Sequence, residues 1–156
     1  MQFKLFEINT DTYYRRNSFK PFESDINLDG LVAQVEKIYD YREYPANHRH
    51  TETVRLTADP NARTNRGLYV LEFIGNGISS RAIIQKGSLT WVQKATIAGH
   101  IGYIVDENGD VCKGKDVGLY IESNFYKADP ENGRIVVPFG RNKWTGKALI
   151  VVDTFA

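Results

Sequence analysis

The chain has a single cysteine, Cys112, so no internal disulfide can form. No basic cluster or helix start surrounds it to lower its pKa, and it is expected to pack as a small apolar residue. No apolar run approaches the roughly 20 residues that a membrane helix requires, which argues against membrane insertion. Neither sign of charge dominates, with 20 Lys+Arg against 19 Asp+Glu. Nucleic-acid surfaces usually show as clustered positive charge, so that partner is not expected. Met1 runs directly into Phe3-Lys-Leu-Phe-Glu-Ile with no signal peptide between. The far end is equally abrupt, with Ala148-Leu-Ile-Val-Val close to the last residue. These ends are read as those of a piece of a longer protein, whose compartment they leave open.

Reaction chemistry is also missing. Nucleophilic catalysis needs a Ser, Thr or Cys beside a base held by a third group. Ser79-Ser80, read as lying between strands, have no Gly-x-Ser-x-Gly elbow around them. Gly75-x-Gly77 is followed by neither a helix nor Lys-Ser/Thr and is no phosphate loop. His48 and His50 could share a face at i and i+2, but a structural zinc site needs four ligands, and only His100 and Cys112 remain as usual partners. The acidic turn Asp106–Asp110 lacks the ordered oxygen ligands of a calcium loop, and Asn108-Gly109 is better read as a hairpin turn. Asp129-Pro-Glu-Asn-Gly reads the same way. No catalytic residue, metal site or cofactor is expected.

What is present is a succession of short apolar or alternating runs punctuated by Gly, Asn and Asp. This is the signature of an antiparallel β-sandwich. Strands are expected over residues 3–8, around Val54 and Leu56, and over 68–74, 78–85, 89–96, 101–105, 117–121, 125–127, 135–138 and 147–152. Gly75-Asn-Gly marks a tight hairpin, and Asp59-Pro-Asn a turn. A short helix opened by Thr10 or Asp11 is expected before Asn17. Leu31–Ile38 fits a helical stripe or a strand equally. The fold class is therefore all-β with a minor helix in the first third: an antiparallel, Greek-key β-sandwich of macroglobulin or immunoglobulin-like type.

Two groups of residues carry a family likeness. Gly67-Leu-Tyr-Val-Leu-Glu-Phe, a hairpin, then Arg81-Ala82-Ile-Ile match a "Gly-x-Tyr-x-Val/Leu-Glu … Arg-Ala-x-Val/Ile" pattern. Tyr103-Ile-Val-Asp-Glu-Asn-Gly-Asp-Val and Asp129, Gly133, Ile135 and Pro138 match the "Asp-x-x-Gly" segments of a following domain. In this order, over residues 51–152, they resemble the macroglobulin-like domains of alpha-2-macroglobulin-type proteins. The resemblance implies a sandwich unit over 1–87 and a second over 88–156, joined at Gly87-Ser88; a single fused domain over 1–156 is the alternative. It also implies an extracellular or cell-envelope parent. Cys112 stands where that family has proline, and no thioester or bait segment is present, so no protease-trapping chemistry carries over.

Aromatic and arginine residues gather in the first third: Tyr13, Tyr14, Tyr39, Tyr41 and Tyr44 with Arg15, Arg16, Arg42 and Arg49. Both residue types are favoured at interface hot spots. Tyr39, Tyr41, Arg42, Tyr44, Arg49 and, further on, Trp144 are the candidate interface. The expected function is that of a non-enzymatic module packing against neighbouring domains of its parent chain or another protein. The competing expectation is a carbohydrate- or peptide-binding module that stacks ligand on the same tyrosines and Trp144.

Overall fold

A computed structural model describes the 156-residue chain except residues 19, 21, 24, 46, 57–65, 122–123, 141–147 and 154. The described residues form ten strands and one short helix: β1 (Gln2–Ile8), α1 (Thr10–Arg16), β2 (Val35–Ile38), β3 (Gly67–Gly75), β4 (Ile78–Lys86), β5 (Leu89–Thr96), β6 (Gly99–Asp106), β7 (Val117–Ile121), β8 (Asn124–Lys127), β9 (Arg134–Val137) and β10 (Ala148–Val152). Every pairing between these strands is antiparallel. They fall into two compact units: Met1–Ile8 with Phe22–Lys86, and Asn9–Pro21 with Gly87–Ala156.

The first unit holds one sheet, in the order β2-β1-β3-β4. Strand periodicity sends Phe3 and Leu5 of β1 to one face with Tyr69 of β3, where Val35, Tyr39, Val54, Leu56, Leu71, Phe73 and Ile84 pack against them. On the opposite face, Phe6, Ile8, Leu68 and Val70 are also buried, and a charged row crosses that face. Glu36 stands opposite Lys4, Lys4 opposite Glu72, and Glu72 opposite Arg81, so charge alternates across all four strands. Glu72 is buried, and Arg81 grips it with Nε and Nη2, each 2.9 Å from Oε1. The remaining arm, Nη1, donates to the Ile26 carbonyl at 2.9 Å and ties that residue to the sheet. β3 turns into β4 through Asn76 (φ 52°) and Gly77 (φ 76°). Positive φ at both central residues is what a two-residue type I′ hairpin requires.

The second unit is a two-sheet sandwich, β10-β7-β8 against β5-β6-β9. Its shared core takes Val117, Leu119, Ile121 and Val152 from one sheet and Ile104, Ile135 and Val137 from the other, with Ala128 and Cys112. Cys112 is buried there, outside any disulfide. Helix α1 belongs to this unit. Asp11 in its first turn and Arg15 and Arg16 in its last complement the helix dipole.

Several local expectations are corrected. The helix cap is Asn9, whose Oδ1 accepts from the Thr12 amide at 2.9 Å. Thr10 is instead buried, and its hydroxyl accepts from the Ala156 amide at 2.7 Å. Val54 and Leu56 lie on irregular chain; they bury their side chains against the sheet without joining its ladder. The ambiguous 31–38 segment resolves as the strand β2, with Leu31 and Val32 exposed before it. Ser79 and Ser80 lie within β4. The Asp59-Pro-Asn turn and Trp144 lie outside the described residues.

Candidate interaction surface

The loop after β2 begins where the sheet ends. The Met1 ammonium donates to the Tyr39 carbonyl, and the Tyr39 amide to the Met1 carbonyl, both at 2.8 Å. This reciprocal pair anchors the loop to the start of β1. Tyr39 packs its ring against the core below, and it starts a run of aromatic contacts. Tyr39 and Tyr41 lie parallel with centroids 5.9 Å apart. Tyr41 stacks on His50 at 4.0 Å. Tyr44 meets His50 edge-on at 4.6 Å and stacks on His48 at 5.3 Å, and the two imidazoles are 4.8 Å apart. Five rings thus meet one another outside any strand or helix. A tyrosine pair at the Tyr39–Tyr41 separation contributes about 0.5–1.5 kcal/mol beyond its buried area.

Polar groups fix the remainder. Arg42 forks onto Asp40, its Nε 2.9 and 3.0 Å from the two carboxylate oxygens, and its amide donates to Oδ1 at 3.1 Å. The guanidinium hydrogen bond holds the Asp40 carboxyl below its usual range and raises Arg42 in turn. Tyr41 donates its hydroxyl to Glu52 Oε1 at 3.2 Å. Desolvation raises the Tyr41 pKa first, and the neighbouring Glu52 charge and hydrogen bond raise it further. The loop borders an open cavity of about 480 Å³ lined by Met1, Ile38, Tyr39, Asp40, Tyr41 and Arg42. Ile38 in this lining is exposed, as is Tyr44 further along the loop.

The structure therefore brings together Tyr39, Tyr41, Arg42 and Tyr44, and adds His48 and His50, considered in sequence only as metal ligands. Arg49 is exposed on the same loop. Among the described residues no group of three or more His, Cys, Asp or Glu gathers around one point. The two imidazoles instead serve as ring partners. The spacing Tyr41, Tyr44, His48, His50 carried that signal. Tyr13, Tyr14, Arg15 and Arg16 belong to the second unit. There Arg15 lies over the Tyr120 ring at 5.2 Å, and burial, followed by the Tyr13 charge, raises the Tyr14 pKa. The acidic turns are occupied by their own backbone. Asp106 Oδ1 accepts from the Asn108 and Asp110 amides, each at 2.9 Å, and Asp129 Oδ1 from Glu131 and Asn132 at 2.9 and 3.2 Å. Those backbone donors lower the Asp129 pKa.

Residues 1–87 match the family described as AbpF first immunoglobulin-like domain. Over 150 residues the chain is 40% identical to "Actin-binding protein F" of Dictyostelium discoideum, an alignment covering 96% of this chain and 6% of that protein. The chain thus spans a small fraction of the length of the curated relative it matches. No solved structure matches. These findings overturn the resemblance to macroglobulin-like and alpha-2-macroglobulin-type proteins, and they show an immunoglobulin-like, antiparallel all-β fold. The expectation of an extracellular or cell-envelope parent rested on that resemblance alone and is withdrawn with it.

Proposed function

Because this chain belongs to the AbpF first immunoglobulin-like domain family, we propose that it is a non-enzymatic interaction module of a longer, actin-associated protein, contacting a protein partner through the 39–50 loop. The observation that carries the reading is the ring cluster of Tyr39, Tyr41, Tyr44, His48 and His50. Tyrosine offers large contact area at low entropic cost, and a loop already held by its own ring contacts loses little further freedom on binding. Arg42, fixed by Asp40, and exposed Arg49 supply polar contacts at its margin. The name of the 40%-identical relative supports actin as the partner. The family match supports reading 1–87 as one domain along the chain and 88–156 as a second, with residues 9–21 packing among those of the second unit.

The test is co-sedimentation of the whole chain with actin filaments, comparing wild type with a Tyr41→Ala/Tyr44→Ala variant whose fold is checked by circular dichroism. The wild type should pellet with the filaments, and the variant should bind at least fivefold more weakly. Equal pelleting of the folded variant refutes the loop as the contact. A wild type that stays in the supernatant refutes actin as the direct partner.

A further inference from the structure

The sheet β5-β6-β9 has one face in the sandwich core, where Trp91, Ile104 and Ile135 point. By alternation the other face should be polar, as on any half-solvated antiparallel sheet. It is not. The register places Thr90, Val105 and Val111 in one row across the sheet, Val92, Tyr103 and Arg134 in the next, and Lys94, Ile101 and Val136 in the third. Six of these nine positions are apolar, two are cations and none is acidic. Val92, Tyr103 and Val136 are 52%, 38% and 40% exposed, so nothing among the described residues covers them fully. The other sheet differs: on its outward side Leu149 and Val151 are buried.

We infer that the outer face of β5-β6-β9 is a second docking surface, for a protein surface that carries carboxylates around an apolar centre. The inference rests on the proposed role as an actin-associated interaction module. An apolar centre with cations at its margins selects that chemistry. Tyr103 and the valines would be desolvated at the centre, while Lys94 and Arg134 would meet opposite charge and steer the encounter. Arg134 also lies close enough to Asp129 to lower that carboxyl's pKa. Two cations would neutralise only two phosphates, a small share of the counterion release that drives nucleic-acid binding. At the spacings of a sheet, three strands by three rows cover roughly 300 Å². A stable interface buries about 800 Å² per partner, so this face acts together with another contact or binds weakly and in a salt-dependent way.

The test uses the whole chain and actin filaments in co-sedimentation at about 50 and 200 mM salt, a range over which the screening length shortens. Two variants are compared with wild type and with Tyr41→Ala/Tyr44→Ala: Lys94→Glu/Arg134→Glu, and Val92→Ser/Tyr103→Ser, each required to keep the wild-type melting temperature within a few degrees. The inference expects wild-type binding to weaken with salt and both face variants to bind at least tenfold more weakly at low salt. If the wild type pellets and both folded face variants pellet equally well, the inference falls while the proposed function stands. If the wild type does not pellet at low salt, both fall together.

Discussion

Removing Arg81 tests the charged row that crosses the first sheet. Glu72 is 9% exposed, and two Arg81 nitrogens reach its Oε1 at 2.9 Å. Truncation of one partner of a buried ion pair costs about 3–5 kcal/mol, because the other charge is left desolvated. Two features move the expected value. The Arg81 side chain is 30% exposed, so water reaches the pair. Lys4 stands directly opposite Glu72 and partly offsets the lost charge. Against these, the variant also loses the Nη1 bond to the Ile26 carbonyl at 2.9 Å, and a charged hydrogen bond contributes about 1.5–3 kcal/mol. Arg81→Ala should therefore destabilise the first unit by about 2–3 kcal/mol, whereas a double Glu72→Leu/Arg81→Leu variant should recover most of the loss. Urea unfolding at neutral pH measures both, as a lower midpoint at unchanged slope. If Arg81→Ala lies within about 0.5 kcal/mol of wild type, the pair behaves as an ordinary surface ion pair and the reasoning fails.

Gly99 adopts φ 130°, and a Cβ there would meet Val137 and, at 2.7 Å, the Cα of Pro138. Gly99→Ala should cost at least about 3 kcal/mol, while Gly109→Ala, at φ 85° in open space, should cost only about 1 kcal/mol; equal shifts in thermal melting would contradict this. Burial, then the Glu7 charge, raises the Tyr69 pKa. A raised folded pKa contributes stability that is complete below the unfolded value, about 10 for tyrosine, and is lost as pH rises through the folded one. Urea midpoints should thus fall above about pH 10 and fall less in Tyr69→Phe; identical alkaline profiles would remove Tyr69 from the account.

Hairpins were the most legible part of the fold because their turns demand particular residues. Asn76-Gly77 and Asn108-Gly109 sit at their expected turns. The β5–β6 turn gave no such signal: it runs through Ile97 and Ala98, with Ile97 fully solvent-exposed. The Asn9 cap was hidden because Thr10 and Asp11 beside it are equally good cap residues. The loop tyrosines were legible as a set, but sequence proximity also joined Tyr13 and Tyr14 to them. The chain leaves the first unit after Ile8 and rejoins it at Phe22, which separates the two groups. The apolar outer face of β5-β6-β9 was not legible, because a strand buried on both faces and one with an open apolar face read alike along the chain.

The residues that carried the mistaken family likeness explain why it misled. Glu72 and Arg81 recur in such patterns because a cross-strand pair is well placed to hold a charge row over a buried sheet face. Asp129 and Gly133 recur because Asp129 accepts the amides of Glu131 and Asn132 through its side chain, while the Gly133 amide returns to the Asp129 carbonyl at 2.8 Å with φ 77°. Both devices serve folding in any antiparallel sheet protein, so they report architecture and not ancestry. By the same logic they say nothing about a partner. Residues free of a folding duty are the informative ones for function. Here those are exposed Arg49 of the loop and the exposed Val92, Tyr103 and Val136, whose apolar surface returns nothing to the core unless another surface covers it.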